Sequence, residues 1–401
     1  MQSNPKNAEA GRRGEDVRSD CWVRLALTES GGIELDLKSK VESMYGDSIR
    51  ALVVDELAAL GVGNAKIEVE DAGALPFVLM ARVECAVRRL GVDVGDGYVP
   101  DFAAGTEYGT ERDRFRRSRL YLPGNEPKFM LNAGLHGPDA VILDLEDSVA
   151  ASEKDAARFV VRNALRSVDF KGAERMVRIN QGEIGLEDLD SIVPHNVHMV
   201  VIPKVESAEQ VTQVDARIRD ILAVQGYTQP VFLMPIVESA LGVIRAYEIA
   251  TSSPNICALT IGLEDYTADI GTERTDSGRE SFWARSQVVN AARAAGVQPI
   301  DSVFSDVSDM GALRKSALEA KGLGFDGKGC IHPRQIAVVH EAFAPTKTEL
   351  EKARRIVAAF EEAQKKGLAA VSLGSKMIDP PVVKRALRVV RLAEAGTANG
   401  C

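Results

Sequence analysis

Charged residues close a series of short apolar runs in this 401-residue chain. Val231–Glu238 ends on Glu238, and Ala258–Leu263 is followed by Asp265. Met176–Asn180 carries Arg178, Met199–Val205 carries Lys204, and Ala140–Leu145 runs into Glu146 and Asp147. Gln298–Phe304 carries Asp301, Gly327–His332 carries Lys328, and Arg119–Pro123 is followed by Gly124. Charge at the end of a buried strand needs a partner or a ligand, so these groups either neutralise one another or bind something. Glu238 and Asp265 are the sharpest pair. If their strands are neighbours, roughly 4.8 Å apart, the two carboxylates converge. They then repel unless one is protonated or a cation sits between them. Oxygen ligation with open positions suits Mg²⁺, with water or substrate completing the octahedron. No His or Cys closes either run, which disfavours zinc. The alternative is that each carboxylate is satisfied by backbone amides. The Arg178 guanidinium suits a carboxylate substrate or a developing oxyanion; an ion pair with Glu146 or Asp147 is the structural alternative. Arg117 and Arg119 bracket Ser118 ahead of the first run, where they would either hold phosphates at the mouth or stand solvated. Lys154 and Arg158 lie four apart on a helix after the second run, a spacing that also fits a solvated charged face.

These residues need a frame. The eight apolar runs alternate with amphipathic helical stretches, which implies parallel strands covered by helices. Eight units match the size of a (β/α)8 TIM barrel, in which chemistry gathers at the C-terminal ends of the strands. A doubly wound open sheet is the rival. The expected fold class is therefore α/β: a barrel over 116–345 with a C-terminal helical extension over 346–401, preceded by a small α+β domain over 21–92. Residues 1–20 read as a polar tail and 93–115 as a Gly- and Asp-rich linker. In the small domain, Cys21–Leu27 and Gly32–Leu37 alternate like a hairpin, followed by helix Ser39–Leu60, strand Ala65–Val69 and helix Ala74–Leu90. The extension has helices Thr348–Lys366 and Pro381–Ala395 flanking Val371–Asp379.

Charge and composition exclude several classes. With 49 Lys+Arg against 58 Asp+Glu the net charge is −9, which argues against a nucleic-acid coat or an anionic-membrane binder. No apolar run reaches the length of a membrane span, and the stretch Met1-Gln2-Ser3-Asn4-Pro5-Lys6 lacks the apolar core of a signal peptide, so none is expected. The five cysteines have no paired spacing, so a zinc ribbon or disulfide scaffold is not expected, and a reduced, cytoplasmic protein is. Gly322–Gly329 matches both GxGxxG and most of a P-loop. It follows a helix and precedes a strand, the reverse of what phosphate binding requires, so it is a helix stop. None of the five histidines has a ligand partner at a metal spacing.

The strings Arg117-Ser118-Arg119-Leu120-Tyr121-Leu122-Pro123-Gly124, Leu143-Asp144-Leu145-Glu146-Asp147-Ser148-Val149, Val177-Arg178-Ile179-Asn180 and Ile202-Pro203-Lys204 occur in order. Pro235-Ile236-Val237-Glu238-Ser239, Gly262-Leu263-Glu264-Asp265, Gly327-Lys328 with Ile331-His332-Pro333, and Lys376-Met377-Ile378-Asp379 follow them. Together they resemble the citrate lyase β-subunit and malyl-CoA lyase family. That resemblance implies Mg²⁺ on Glu238 and Asp265, Arg178 as the active-site arginine, and Asp379 as an acid/base supplied to a neighbouring subunit of a trimer or hexamer. It also implies that Arg117 and Lys154, with Glu146, Asp147 and Lys204 around them, contact a CoA thioester and a 2-oxo acid. Residues 18–90 are similar to the acyl-carrier γ-subunit of citrate lyase, through Ser19-Asp20-Cys21-Trp22-Val23-Arg24, Gly32-Ile33-Glu34-Leu35, Tyr45-Gly46-Asp47, Asp71-Ala72-Gly73-Ala74-Leu75 and Ala81-Arg82-Val83-Glu84. That family carries its prosthetic serine two places before the Asp of the first string; here that place is Arg18, which cannot accept the group. The expected reaction is thus cleavage of a free malyl-CoA- or citramalyl-CoA-type thioester. Citryl-carrier cleavage beside other citrate-lyase-like subunits, hydrolysis of the condensed thioester, and a non-enzymatic scaffold are the alternatives.

Overall fold

The computed structural model describes residues 7–95, 97–365, 371–373 and 376–398. Eight parallel strands close a barrel in chain order: β5 (Ser118–Pro123), β6 (Ala140–Asp144), β7 (Glu174–Arg178), β8 (Met199–Ile202), β9 (Phe232–Val237), β10 (Ala258–Ile261), β11 (Gln298–Asp301) and β12 (Gly327–Cys330). Closure comes from β12 pairing with β5, with Gly329 opposite Arg119. The rival open sheet is excluded. The strands are apolar on both faces because both are covered. Ile142, Met176, Val201, Met234 and Ile300 fill the interior. Val141, Leu143, Val177, Val200 and Leu259 pack outward under the helices.

The N-terminal unit differs from the sequence reading in two ways. Ala8–Gly11, placed in the polar tail, is strand β1 and pairs antiparallel with β2 (Cys21–Leu27). Alternation over so few residues is too short a signal to read. The expected hairpin between β2 and β3 (Ile33–Ser39) does not form either. Strand β4 (Ala65–Asp71) inserts between them, antiparallel to β2 and parallel to β3. Periodicity reports which residues face inward, not which strands are partners. Helices α1 (Glu42–Ala59) and α2 (Pro76–Arg88) cover one face, with Pro76 in the first turn of α2, where its missing N–H costs nothing.

Helix α2 joins the two units. Every residue from Phe77 to Val87 is buried, because its remaining face lies on the barrel helix Lys154–Ser167. Three charged clusters fix the seam. Arg82 makes a bidentate pair with Asp20 at 2.9 and 2.8 Å and donates to the Asn125 carbonyl. Glu84 pairs with Arg162, and Arg89 pairs with Asp155 at 2.6 Å. Residues of the 93–115 stretch run along the N-terminal ends of the strands: Arg175 donates to the carbonyls of Thr106 and Tyr108, and Arg112 donates to Pro254 and Ile256.

In the extension, the helices Lys347–Lys365 and Pro380–Ala398 pack on each other around Ala353, Ile356, Val383 and Ala386. A two-stranded ribbon, β13 (Val371–Leu373) with β14 (Lys376–Ile378), joins them. Parts of the expected Val371–Asp379 segment, together with residues 1–6 and Cys401, lie outside the described residues. No helix of the described residues is long and apolar enough to cross a membrane. Cys21, Cys85, Cys257 and Cys330 are buried and unbridged.

Replacing Asp20 with Ala strands the Arg82 charge, which is 0% exposed. The expected cost is about 3–5 kcal/mol, read as a lower urea midpoint; an unchanged midpoint would show the pair to be dispensable.

Candidate active site

A cleft of about 440 Å³ opens at the C-terminal end of the barrel, bordered by Arg178, Glu238, Asp265, Asp144, Tyr121 and Arg119 among others. Glu238 stands one residue past β9. It is buried, and its Oε1 accepts the Lys204 backbone N–H at 2.7 Å. Two unusual backbone features permit this. Lys204 adopts φ +49°, a left-handed conformation that non-glycine residues avoid and that clusters at functional sites. Gly262, at the end of β10, has no side chain; a Cβ there would lie 2.3 Å from Glu238 Oε2. Asp265 does not close a strand, as the sequence suggested. It lies in the first turn of helix Leu263–Asp269, directly after β10, and its side chain is 45% exposed. Strands β9 and β10 are neighbours, as the converging-carboxylate reading required.

Lys204 reaches across this end of the barrel. Its Nζ lies 3.4 Å from Glu146 and from Asp147, and 3.7 Å from Asp265. Arg178 ends β7 and is clamped by Asp144, with Nε and Nη2 donating to the two carboxylate oxygens at 2.6 and 2.7 Å. It also lies 3.0 Å from Glu146 and 3.4 Å from Asp147, and stacks 5.4 Å from the Tyr121 ring centre. Burial works against this cation, but the Asp144 hydrogen bonds and charge outweigh it and hold its pKa above the ordinary arginine value. The sequence reading named Glu146 and Asp147 as partners and missed Asp144. The available signal was a carboxylate inside the otherwise apolar run Ala140–Leu145.

Three expected site residues stand elsewhere or do other work. Arg117 does not reach the cleft. It precedes β5, and a residue ahead of a parallel strand lies at the opposite end of the barrel from the catalytic face. There it is buried and paired with Asp139 through Nε at 2.9 Å and Nη2 at 2.8 Å. Lys154 does lie near the mouth, but its Nζ donates to the carbonyls of Leu145 and Glu146 and so braces the loop carrying Glu146 and Asp147. Asp379 caps the last helix through the Val382 N–H at 3.2 Å and does not border the cleft. Arg119, read as a mouth residue or a solvated one, is 1% exposed inside the barrel. Asp301 and Lys328 are a buried pair at 2.7 Å, joined by Arg285. Arg158 is paired with Asp188.

Among the described residues no group of three or more His, Cys, Asp or Glu side chains is arranged to hold a metal. Glu238 and Asp265 together offer two oxygen donors at an open mouth. That donor set fits a hard cation that keeps waters or takes substrate oxygens, and it fits zinc poorly. Burial pushes the Glu238 carboxyl up to about 7, and the nearby Asp265 charge adds to the rise while the Lys204 N–H opposes it. A carboxylate so placed favours a proton, or a cation in its stead.

For an acid whose folded pKa lies above the unfolded value of about 4.5, stability is fully present below that value. It is lost as pH rises towards about 7. The shift corresponds to roughly 3 kcal/mol. Unfolding of the cation-free protein should therefore become easier between about pH 4.5 and 7, and Glu238→Gln should remove that part of the slope and be the more stable form at pH 8. Parallel pH profiles for the two proteins would contradict this.

Residues 117–333 match the family model described as HpcH/HpaI aldolase/citrate lyase. Residues 10–90 match an acyl-carrier model described as malonate decarboxylase delta subunit (MdcD). The chain is 39% identical to citrate lyase subunit beta of Leuconostoc mesenteroides subsp. cremoris, over 71% of this chain and 95% of that one. It is 34% identical to the mitochondrial citramalyl-CoA lyase of Homo sapiens, over 69% of this chain and 85% of that one. Among solved structures, CitE from Mycobacterium tuberculosis in complex with magnesium, acetoacetate and coenzyme A superposes with a TM-score of 0.58 at 31% identity, covering 71% of this chain and 100% of that one. With its closed barrel, its paired carboxylates and these matches, the chain belongs to the HpcH/HpaI aldolase/citrate lyase family, with a carrier-like unit joined to its N-terminal side.

Proposed function

We propose that this chain is a magnesium-dependent carbon–carbon lyase. It acts on a 3-hydroxyacyl thioester that bears a carboxylate on the hydroxyl carbon. The products are a 2-oxo acid and the shortened thioester, acetyl-CoA when the substrate is a malyl-CoA or citramalyl-CoA type. The observation that carries this is the Glu238–Asp265 pair on adjacent strand–helix junctions, with Lys204 bridging the acids and Arg178 held beside them. Relatives named as lyases and the magnesium, acetoacetate and coenzyme A complex of CitE support it.

The carbon–carbon bond next to the hydroxyl carbon breaks. The hydroxyl loses its proton and becomes the carbonyl of the 2-oxo acid. The electron pair goes to the thioester enolate, whose carbon then takes a proton. Glu238 and Asp265 would hold a magnesium ion, which would supply Lewis acidity to the substrate's oxygens. Arg178, fixed by Asp144 and therefore pre-organised, faces the developing negative charge. Glu146, Asp147 and Lys204 keep the mouth polar and hold one another in place. Asp379 protonates the enolate carbon, or deprotonates it in the condensing direction, from a neighbouring copy of the chain. Its position away from the cleft of its own chain is what a donated residue requires.

A second reading, citryl-thioester cleavage, is favoured by one observation: identity to citrate lyase β-subunits reaches 41%, against 34% for the human citramalyl-CoA lyase. A free CoA thioester remains the preferred carrier of the acyl group, because Arg18 occupies the place where the carrier family has its serine. Ser19 beside it is held in a turn, with φ +55° and its N–H on the Ala72 carbonyl at 3.1 Å.

Incubation of the full chain with malyl-, citramalyl- and citryl-CoA in Mg²⁺ should release acetyl-CoA and the matching 2-oxo acid from at least one of them, and EDTA should stop it. Release of free CoA would instead mark a hydrolase. Asp265→Ala is expected to lose on the order of 10³-fold in kcat/KM; full activity would remove the metal pair from the mechanism. Asp379→Ala and Arg178→Ala should each be inactive alone and regain activity when mixed and refolded together. No regain would place Asp379 outside the neighbour's site.

A further inference from the structure

Arg119 is a buried cation without an anion. It enters the barrel interior from β5, opposite Gly329 on one side and Ala140 on the other. Its guanidinium donates to the sulfur of Met234 at 3.2 Å and to the backbone carbonyl of Asp301 at 3.1 Å, and its Nε has no partner. Neither acceptor carries a charge. The acids in this part of the barrel are already engaged. The Asp301 carboxylate is held by Lys328 and Arg285, and Asp144 is held by Arg178. A guanidinium this deep would normally be paired. Burial pulls its proton affinity below the ordinary arginine range, and Tyr121, Cys330 and Asp301 only partly offset that.

This side chain also borders the cleft that Glu238 and Asp265 border. Met234, which it touches, lies on the same strand face as Ile236 and Glu238, since alternate residues of a strand share a face. Ile236 also borders the cleft. The guanidinium therefore forms the cleft's floor, beneath the carboxylates at its mouth. An isolated cation at the bottom of a pocket whose upper end holds the paired acids is placed to take the far end of an anionic ligand.

We propose that Arg119 is a specificity-determining residue that binds a second carboxylate of the substrate, distal to the one presented to Glu238 and Asp265. This rests on the lyase reading above and selects its second substrate type, the citryl one. The 2-oxo acid formed is a dicarboxylic one, of the oxaloacetate type, and the thioester is correspondingly a tricarboxylate derivative rather than a malyl or citramalyl one. A planar guanidinium accepts a carboxylate through two parallel hydrogen bonds, and its Nε edge is open for one of them. A methyl group in place of the whole carboxymethyl group, as in pyruvate, leaves the cation unpaired and is rejected.

Binding distinguishes this site from the lyase activity. Full-length chain in Mg²⁺ is titrated calorimetrically with oxaloacetate and with pyruvate, for the native chain, Arg119→Met and Arg119→Lys. The native chain should bind oxaloacetate more tightly than pyruvate. Arg119→Met should weaken oxaloacetate by about 30-fold or more while moving pyruvate by less than about 3-fold, and Arg119→Lys should fall between. Because the substitution removes an unpaired buried charge, the melting temperature of Arg119→Met should be unchanged or raised, whereas a purely structural arginine would lower it. A native chain that binds the two acids equally, or binds neither, overturns the proposal. So does an Arg119→Met chain that loses both ligands alike or melts early with its preference intact. A chain that prefers oxaloacetate through Arg119 yet cleaves no CoA thioester keeps this site and loses the lyase reading.

Discussion

Glu238 is a carboxylate held out of water beside a second carboxylate, and the catalytic end of the barrel is arranged around that repulsion. Burial and Asp265 both raise its affinity for a positive charge, while the Lys204 N–H and the Arg178 charge favour its ionised form. The surrounding chain accepts unusual local conformations to keep it there. Lys204 sits in the left-handed region, and Gly262 must remain a glycine. Strained backbone of this kind persists only where the surrounding fold over-determines it. Here that fold is the closed barrel, which brings the ends of β8, β9 and β10 side by side.

The same residue types do different work according to depth along the barrel axis. At the strand C-termini, Arg178, Lys204, Glu146 and Asp147 form a network that is partly open to water and to ligands. At the N-termini, Arg116 with Glu174 and Arg117 with Asp139 are fully matched pairs that close the end of the barrel. Between these layers Arg119 has no matching acid. A buried pair whose members satisfy each other has little left to give a ligand. A buried charge facing a cavity without a partner has the largest interaction in reserve.

The carrier-like unit is docked on the barrel along helix α2. Buried pairs such as Glu84–Arg162 add little net stability over an apolar contact, but they penalise any other docking register, since a slipped helix would leave a charge unpaired. Arg82 couples the two units further. It is clamped by Asp20, next to the residue pair Arg18–Ser19, and donates to Asn125 in the loop after the first barrel strand. The stretch that resembles the carrier's attachment segment thereby borders the loops at the catalytic end.

Much of this protein was written into its one-dimensional pattern. Eight apolar runs with charged ends, spaced by amphipathic helices, are enough to specify a parallel barrel, because buried strands need helices on their outer face and their apolar length fixes the number of units. That the strands leading to Glu238 and Asp265 are neighbours followed from the order of those runs. Other assignments needed the third dimension. Arg117 and Arg119 are two residues apart and look alike in sequence, yet one ends outside the strand against Asp139 and the other inside the barrel without an acid. Strand direction and inward or outward facing decide this, and neither is visible until the barrel closes. Asp144 looked like one polar residue in an apolar run and became the clamp on Arg178, because β6 and β7 are in register at those two positions. The pairing of β4 between β2 and β3 was hidden for the same reason: hydrogen-bond partners are chosen by the whole sheet, while periodicity is a property of each strand alone.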